Sequence, residues 1–384
     1  MPRVTVVLPV YNHQNYVEAA LRSVFAQDYP DFQIVAVDDG STDSSLDVLD
    51  RHASRVNIIR SVHRGPAAAR NRALAATDSE FVAFMDADDL CAPGRLRLGV
   101  EKLESENLDL ISSALSFIDS SGQSVPGAWT CPPNARNDYW GALLERNWIG
   151  TPSVMLRRRV LDSLGLFDET FTHAEDYDLW LRIGRSHAIG YLETPLIQCR
   201  RHSANTSINI ASHQHFERMA LQKVEPSEAW KAFDRLHPAA ADRDEAWIWF
   251  LLRSGSAAFV EELRLALARN PLSRTLRFAL GVFQYDSGLY EESRQTFQGM
   301  KDLDAACLHN AGVLSAQCGD FHAAASYLRD ALRLLPGYHD AQYNLAALDE
   351  QRDLRLTRRP FRENPVPMVV TGANVVFGHS SPRE

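Results

Sequence analysis

The chain has 384 residues, 45% of them hydrophobic, enough for two or three domains with real cores. Its 40 Lys and Arg against 49 Asp and Glu give a net charge of −9, which argues against a broad nucleic-acid footprint, because phosphate backbones need a basic face. Cys91, Cys131, Cys199, Cys307 and Cys318 are scattered and form no C-x-x-C, so no disulfide framework or zinc ribbon is expected and a reducing cytoplasm fits. No apolar run is long enough to span a membrane, and MPRVTVVLPV lacks the pattern of a signal peptide.

The first third alternates two patterns. RVTVVLPV (3–10), QIVAVDD (33–39), VNIIRSV (56–62) and EFVAFMD (80–86) read as short strands, apolar on both faces. Between them NYVEAALRSVFAQ (15–27), STDSSLDVLDRHA (41–53) and GPAAARNRALAAT (65–77) read as helices, the second with Ser41 as its N-cap. This alternation predicts an α/β fold with a parallel sheet covered on both sides, in which ligands bind at the carboxyl ends of the strands. Those ends carry Pro9-Val10-Tyr11-Asn12, Asp38-Asp39-Gly40-Ser41 and Asp86-Ala87-Asp88-Asp89. One acidic strand end is commonly just a turn or a helix cap; several converging on one edge point to a site.

Further along come a helix over about 92–107, a strand over 108–118, a looser Pro-, Gly- and Trp-rich stretch (122–152) and a short strand, PSVMLRR (152–158). HAEDYDLWLRIGR (173–185) reads as a helix with acids at its start, and AIGYLETPLIQCRRH (188–202) as strand. From about residue 244 strand signals vanish. Gly281 and Gly312, Gly288 and Gly319, and Tyr290 and Phe321 each stand 31 positions apart, within copies laid out as helix, Gly-aromatic turn, helix. This resembles tetratricopeptide repeats, whose usual period is about 34, and such units stack because none buries its apolar face alone. The expected division is 1–220 for the α/β domain, 221–243 for a linker or connecting helix, 244–352 for the repeats and 353–384 for a loose tail.

The DADD segment raises a question of charge. Three carboxylates within four positions, just after a buried strand, repel one another and lose hydration. D-x-D spacing on an extended segment lets two carboxylates face one way and share a hard divalent cation, Mn²⁺ or Mg²⁺, completed by water and substrate phosphates. Neither a Walker loop nor a G-x-G-x-x-G follows the first strand, so a P-loop NTPase or a dinucleotide oxidoreductase is not indicated. Arg70, near a predicted helix start, suits a diphosphate. Glu175 and Asp176 suit either helix-dipole stabilisation or a general base held on a rigid element.

In order along 3–205, VVLPVYNHQNYVEAALRSVFAQDYPDFQIVAVDDGSTDSS, RGPAAARNRAL, FMDADD and EDYDLWLR closely resemble family 2 inverting glycosyltransferases of the GT-A fold. The resemblance implies a GT-A domain followed by the helical repeats. Pro9, Tyr11 and Asn12 would line the nucleotide pocket, Asp38 would bind the base with Asp39 close by, and Arg70 would stand near the nucleotide or its diphosphate. Asp88 would be the metal ligand, with Asp86 nearer the ribose and a possible second ligand. Asp176 would be the catalytic base, with Glu175 its acidic neighbour. RRHSANTS (200–207) resembles a stretch found after the base, where His202 would contact the diphosphate or metal. The reaction implied is transfer of one sugar from a nucleoside-diphosphate sugar, UDP-sugar favoured, to a glycan, lipid-linked or protein acceptor, with surface glycan assembly as the setting.

The Q-x-x-R-W motif of processive synthases does not follow Asp176, so one sugar per encounter is expected. Two other readings stay open: an interaction protein whose repeats carry the function beside a degenerate domain, and a sugar-phosphate nucleotidyltransferase. The repeats could recruit a protein partner. The basic stretches RRR (157–159) and RLTRRPFR (355–362) would suit peripheral contact with an anionic inner membrane face.

Overall fold

The computed structural model describes residues 2–202, 205, 210–300, 304–349, 353–357, 368–371 and 374–377. The chain divides into two compact units, Met1–His237 and Pro238–Glu384.

The first unit opens with β1 (Val4–Val10), α1 (Val17–Phe25), β2 (Phe32–Asp38), α2 (Ser45–Asp50), β3 (Asn57–Arg60), α3 (Pro66–Ala75) and β4 (Phe81–Phe84). β1, β2 and β4 are β-branched or aromatic runs that lie almost wholly buried, which suits strands covered on both faces. They pair in parallel in the order β3-β2-β1-β4. The order reverses beside β1, because β2 and β3 add on one side and β4 on the other; a crevice at the carboxyl ends of β1 and β4 follows. Pro9 sits where this crevice begins: the β1–β4 register ends at Val7 and Phe84, so its missing N–H leaves no partner on β4 unpaired.

The unit continues through β5 (Leu90–Cys91), α4 (Arg95–Ser105), β6 (Leu110–Ile118), β7 (Ser124–Trp129), α5 (Tyr139–Glu145), β8 (Met155–Arg157), α6 (Arg158–Leu164), α7 (Glu175–Ser186), β9 (Ile189–Arg200), α8 (Ile210–Gln222) and α9 (Pro226–Leu236). The nine-stranded sheet is mixed, running β3-β2-β1-β4-β8-β6-β9-β5, with β7 also on β6. β8 is antiparallel to both β4 and β6, whereas β6 and β9 are parallel. The parallel arrangement expected from the first third therefore holds for β1–β4 while the rest of the sheet mixes both directions, and the 122–152 stretch contains β7 and α5 instead of only loop. One core, including Val6, Leu8, Phe81, Met85, Leu96 and Ile111, packs against the sheet.

Two expectations need correction here. Ser41 caps no helix: α2 starts after Ser44, and the Ser41 hydroxyl accepts from the Asn12 backbone N–H. The RRR stretch is not a free cationic patch. Arg157 donates to the carbonyls of Leu103 and Leu108, Arg158 to those of Leu74 and Thr77, and Arg159 pairs with Asp109. Arg157 and Arg158 thus satisfy carbonyls at the ends of α4 and α3.

The second unit runs α10 (Ala240–Ser254), α11 (Phe259–Arg269), α12 (Arg274–Asp286), α13 (Tyr290–Gln298), α14 (Ala305–Gln317), α15 (Phe321–Leu334) and α16 (His339–Asp349). α10 packs on α11, α12 on α13 and α14 on α15. A Cβ on Gly281 would lie 2.6 Å from Phe297, and one on Gly312 would lie 3.0 Å from Leu328. Each glycine meets the residue sixteen positions later, so the two hairpins repeat one close helix–helix contact. Tyr290 and Phe321, the aromatics of the repeated turn, are 39% and 63% exposed. The tail, read as loose, contains β10 (Met368–Thr371) and β11 (Asn374–Phe377), which pair antiparallel. Residues 358–362 of its basic stretch lie outside the described residues. Among the described residues, no helix is long and apolar enough to cross a membrane.

Candidate active site

The crevice is built from three strand ends and one helix start. After β1 the chain turns through Asn12, whose φ of 56° is left-handed, a conformation Asn tolerates better than most residues. Hydrogen bonds then tie this turn to the one after β2. Asn12 N–H donates to Ser41 Oγ, His13 N–H to Ser45 Oγ at 2.7 Å, and Gln14 N–H to Asp43. In return Thr42 N–H donates to Asn12 Oδ1 and Ser44 N–H to Gln14 Oε1. The two turns therefore form one rigid rim. Tyr11, 39% exposed, lies over it with its ring stacked on His63 at 3.9 Å.

Asp38 and Asp39 end β2 and are both buried, with different fates. Asp39 accepts from the backbone N–H groups of Arg64 and Gly65 and pairs with His63, so it holds the loop that leads into α3. Gly40 has φ of 75°, and a Cβ there would lie 2.8 Å from His63 N, so only glycine fits. Asp38 has one oxygen, Oδ1, buried with no partner in the protein. Such an atom costs free energy unless something outside the chain donates to it.

After β4 the three aspartates diverge. Asp89 is buried and accepts from Arg200 N–H at 2.7 Å; burial and the charges of Asp88 and Asp86 push its carboxyl well above the usual range. Asp86 accepts from Arg70 at 3.0 Å, and burial outweighs Arg70's pull, so its carboxyl is also raised. Asp88 accepts from His202 Nε2 at 3.0 Å and from Asn205 at 3.2 Å. Burial opposes its charge, yet that hydrogen bond and the nearness of His13 hold the carboxyl below the usual range. His13, Asp88 and His202 each offer a ligand atom, all within 4.8 Å of one another. Two imidazoles and a carboxylate at this separation are a donor set that fits a divalent cation.

At the start of α7, Ala174 takes a left-handed φ of 54° without being glycine, an observed strain beside the acids it introduces. Glu175 is buried and accepts from Arg70 Nη1 at 2.7 Å. Burial raises its carboxyl, Arg70 opposing. Asp176 stays half-buried, with Thr151 Oγ1 donating to it at 2.6 Å and Tyr177 N–H fixing its other oxygen. Arg70 thus joins α3, the end of β4 and the start of α7. Its side chain is 6% exposed, and both terminal nitrogens are engaged by Asp86 and Glu175. It supplies one positive charge the acidic strand ends require, held between Asp86 and Glu175.

Of the residues the sequence pointed to, Pro9, Tyr11, Asn12, Asp38, Asp39, Arg70, Asp86, Asp88, Glu175, Asp176 and His202 all lie on this edge. Asp86 is not among the three residues whose ligand atoms converge. Sequence reasoning missed His13, His63, Thr151 and Asn205. A lone histidine in a polar turn carries no periodic or motif signal, and its partners are distant in sequence. The RRHSANTS stretch is described at Arg200–His202 and Asn205; its other residues lie outside the described ones.

Residues 5–164 match the family described as Glycosyl transferase family 2. The chain is similar to the UDP-Glc:alpha-D-GlcNAc-diphosphoundecaprenol beta-1,3-glucosyltransferase WfgD of Escherichia coli, 27% identical over 217 residues, which are 56% of this chain and 83% of that protein. It is also similar to the succinoglycan biosynthesis protein ExoU of Rhizobium meliloti (strain 1021), 33% identical over 196 residues, 47% of this chain and 56% of that one. It spans only 30% to 53% of the length of four further relatives described as uncharacterized glycosyltransferases. Among solved structures, S. aureus TarS 1-349 in complex with UDP-GlcNAc superposes with a TM-score of 0.50 at 17% identity, covering 98% of this chain and all of that one, a likeness of fold alone. The family match covers most of the mixed sheet and its acidic crevice at the carboxyl ends of β1, β2 and β4, so this unit is a glycosyltransferase domain of GT-A type that resembles family 2, followed here by a region of many helices.

Proposed function

We propose that this chain transfers a single sugar from a nucleoside-diphosphate sugar to an acceptor hydroxyl, with inversion at the anomeric carbon, in surface glycan or glycoconjugate assembly. The observation that carries the reading is the convergence, on one crevice, of an unpartnered buried carboxylate oxygen, two imidazoles and a carboxylate close enough to hold a cation, and a half-buried carboxylate at a helix start.

Asp38 Oδ1 accepts and cannot donate, so it favours a base with an N–H on its pairing edge, as in uracil or guanine. The UDP-sugar named for the Escherichia coli relative supports the uracil choice. Tyr11, beside Pro9 and Asn12, offers a stacking face for the base. Asp88 and His202 would hold Mn²⁺ or Mg²⁺, with Asp86 turned to the ribose side. A cation held there would supply positive charge to the departing diphosphate. Asp176 takes the proton of the acceptor hydroxyl, its two oxygens aimed by Thr151 and the Tyr177 N–H. Glu175 and Asp86, tied through Arg70, set the angle between the α7 start and the β4 end. The paired helices with their repeated Gly contact are read as tetratricopeptide-like units that recruit an acceptor or protein partner.

A thermal-shift panel of UDP-, GDP-, dTDP- and CMP-sugars, with and without Mn²⁺, tests this. One donor should raise Tm only with metal, by mass action on the native state. The Asp88→Ala protein should lose that shift, and turnover should release a nucleoside diphosphate. Release of pyrophosphate, or a folded protein indifferent to every donor, would discard the reading.

A further inference from the structure

The cation site has a member that neither the sequence motifs nor the reading above employs. His13 stands in the turn after β1, one residue beyond the left-handed Asn12. Its backbone is fixed from three directions: its N–H donates to Ser45 Oγ at 2.7 Å, and its carbonyl accepts from Tyr16 N–H and Val17 N–H, both at 2.9 Å. The flanking residues Asn12 and Gln14 are tied to the turn after β2. The imidazole is therefore presented from a rigid support, the condition for a ligand held ready before its ion arrives.

The other two members are held as firmly. The His202 ring is stacked on Tyr16 at 4.9 Å, and Asn205 donates to the Asp88 oxygen that faces His202. His202 Nε2 and that oxygen are 3.0 Å apart. A cation bound at about 2.1 Å from two neighbouring donors holds them about 3 Å apart. The His13 ring approaches the His202 ring at 6.2 Å, edge to face. Asp86 is not among the converging ligand atoms, and its Oδ1 accepts from Arg70.

We infer that His13 is a third protein ligand of the cation, which makes the site a two-imidazole, one-carboxylate set selecting a transition-metal ion over Mg²⁺. The inference rests on the metal-assisted reading of this crevice and sharpens it. A D-x-D pair alone offers oxygen ligands, which suit Mg²⁺ and Mn²⁺ alike. Two imidazole nitrogens change the ranking. Mg²⁺ prefers oxygen and gives up its waters reluctantly, whereas affinity at nitrogen rises from Mn²⁺ to Co²⁺. Three protein ligands would leave room for water and substrate oxygens to complete the shell.

The test is titration of the full chain with Co²⁺, Mn²⁺ and Mg²⁺, each with and without UDP, followed by calorimetry and, for Co²⁺, by its visible absorption. Wild-type protein should bind in the order Co²⁺, Mn²⁺, Mg²⁺. His13→Gln keeps the backbone bonds of the turn; it should lose about tenfold or more in Co²⁺ affinity and under about threefold for Mg²⁺. Unchanged Co²⁺ binding in His13→Gln, or an equal loss for both ions, overturns the role of His13. Asp88→Ala separates the two levels. If it abolishes Co²⁺ binding while His13→Gln leaves that binding unchanged, the metal site stands without His13. If Asp88→Ala changes nothing, or wild-type protein takes up no cation even with UDP, the metal-assisted reading falls and His13 with it.

Discussion

Two buried polar clusters, one in each unit, are built in opposite ways. In the first unit, the cluster at the crevice is charged and one group is left wanting. Arg70 lies between Asp86 and Glu175, and Asp38 Oδ1 has no partner. In the second, a buried polar cluster is neutral and closed. His309 meets Asn344 at 2.6 Å; Asn344 exchanges two hydrogen bonds with the backbone of Arg355, and Asn310 exchanges two with that of Thr357. Neutral amides pairing with backbone satisfy both sides and ask nothing of a ligand. A buried charge cluster with an open acceptor is costly in the free chain, which makes sense where a ligand completes it. The contrast separates a polar core that specifies structure from one that awaits chemistry, and each prediction below either breaks or sharpens it.

The largest effect belongs to the group with the clearest chemical task. Asp176→Asn keeps the shape and the Thr151 contact but removes the base. Turnover should fall by about 10²- to 10⁴-fold, with Tm nearly unchanged. Rates of nucleoside diphosphate release alongside thermal melts decide it; wild-type turnover in the variant would remove Asp176 from the reaction.

Arg70→Met breaks the charge cluster from its centre. Removing one partner of a buried ion pair typically costs about 3–5 kcal/mol, because the carboxylates remain buried without it. Denaturant midpoints should show a loss of that size and should improve when Glu175→Gln is added. A loss below about 1 kcal/mol, the range of a solvated surface pair, would mean that the cluster is wet.

The neutral cluster predicts a pH window. Burial of His309 lowers its pKa to about 4, with Asp340 and Asn310 opposing and Asn344, Tyr338 and Thr357 enclosing the ring. The unfolded chain takes up this proton near the ordinary value of about 6.5, so between those values it binds more protons than the folded one. Stability from this group is complete above about 6.5 and is lost as pH falls towards about 4, on the order of 3 kcal/mol at most. Urea melts across this range should show the loss in wild type and a flatter profile in His309→Gln. Equal slopes would place the histidine in contact with water.

How much of this was visible in the sequence depends on how local each cause is. β1, β2 and β4 were legible because β-branched runs buried on both faces leave a dense apolar signature. β6, β8 and β9 were legible as strands over 108–118, 152–158 and 188–202, but not the directions in which they pair, and β7 is mostly exposed, so the mixed order of that half of the sheet could not be read. The acids at the strand ends announced a site, but not which of them would be free. That Arg70 pairs with Glu175 was not legible, because the two lie 105 positions apart. His13 and the paired asparagines Asn310 and Asn344 escaped notice for the same reason: nothing near them in the chain hints at what they meet in space. The glycine spacing of the second unit was legible because each copy makes its contact within sixteen residues.

The smallest effects come from the backbone, and they should have opposite signs in the two units. Ala174, at the start of α7, holds a left-handed φ of 54° that glycine would accept freely. Gly319, in the second unit, holds φ of 84° with nothing within 4 Å of an added Cβ, so the strain there is avoided by residue choice. Gly319→Ala should cost about 1 kcal/mol through left-handed strain alone. Ala174→Gly should gain about 1 kcal/mol or less, since relief of strain is partly offset by the freer unfolded chain. Its functional sign is the informative one. A hinge-free alanine fixes the angle at which Glu175 and Asp176 leave the loop, and glycine would let that angle wander, so kcat should fall while Tm rises slightly. Were both to rise together, the left-handed alanine would be a tolerated defect, and the division between a unit that stores strain for chemistry and one that avoids it would lose its backbone evidence.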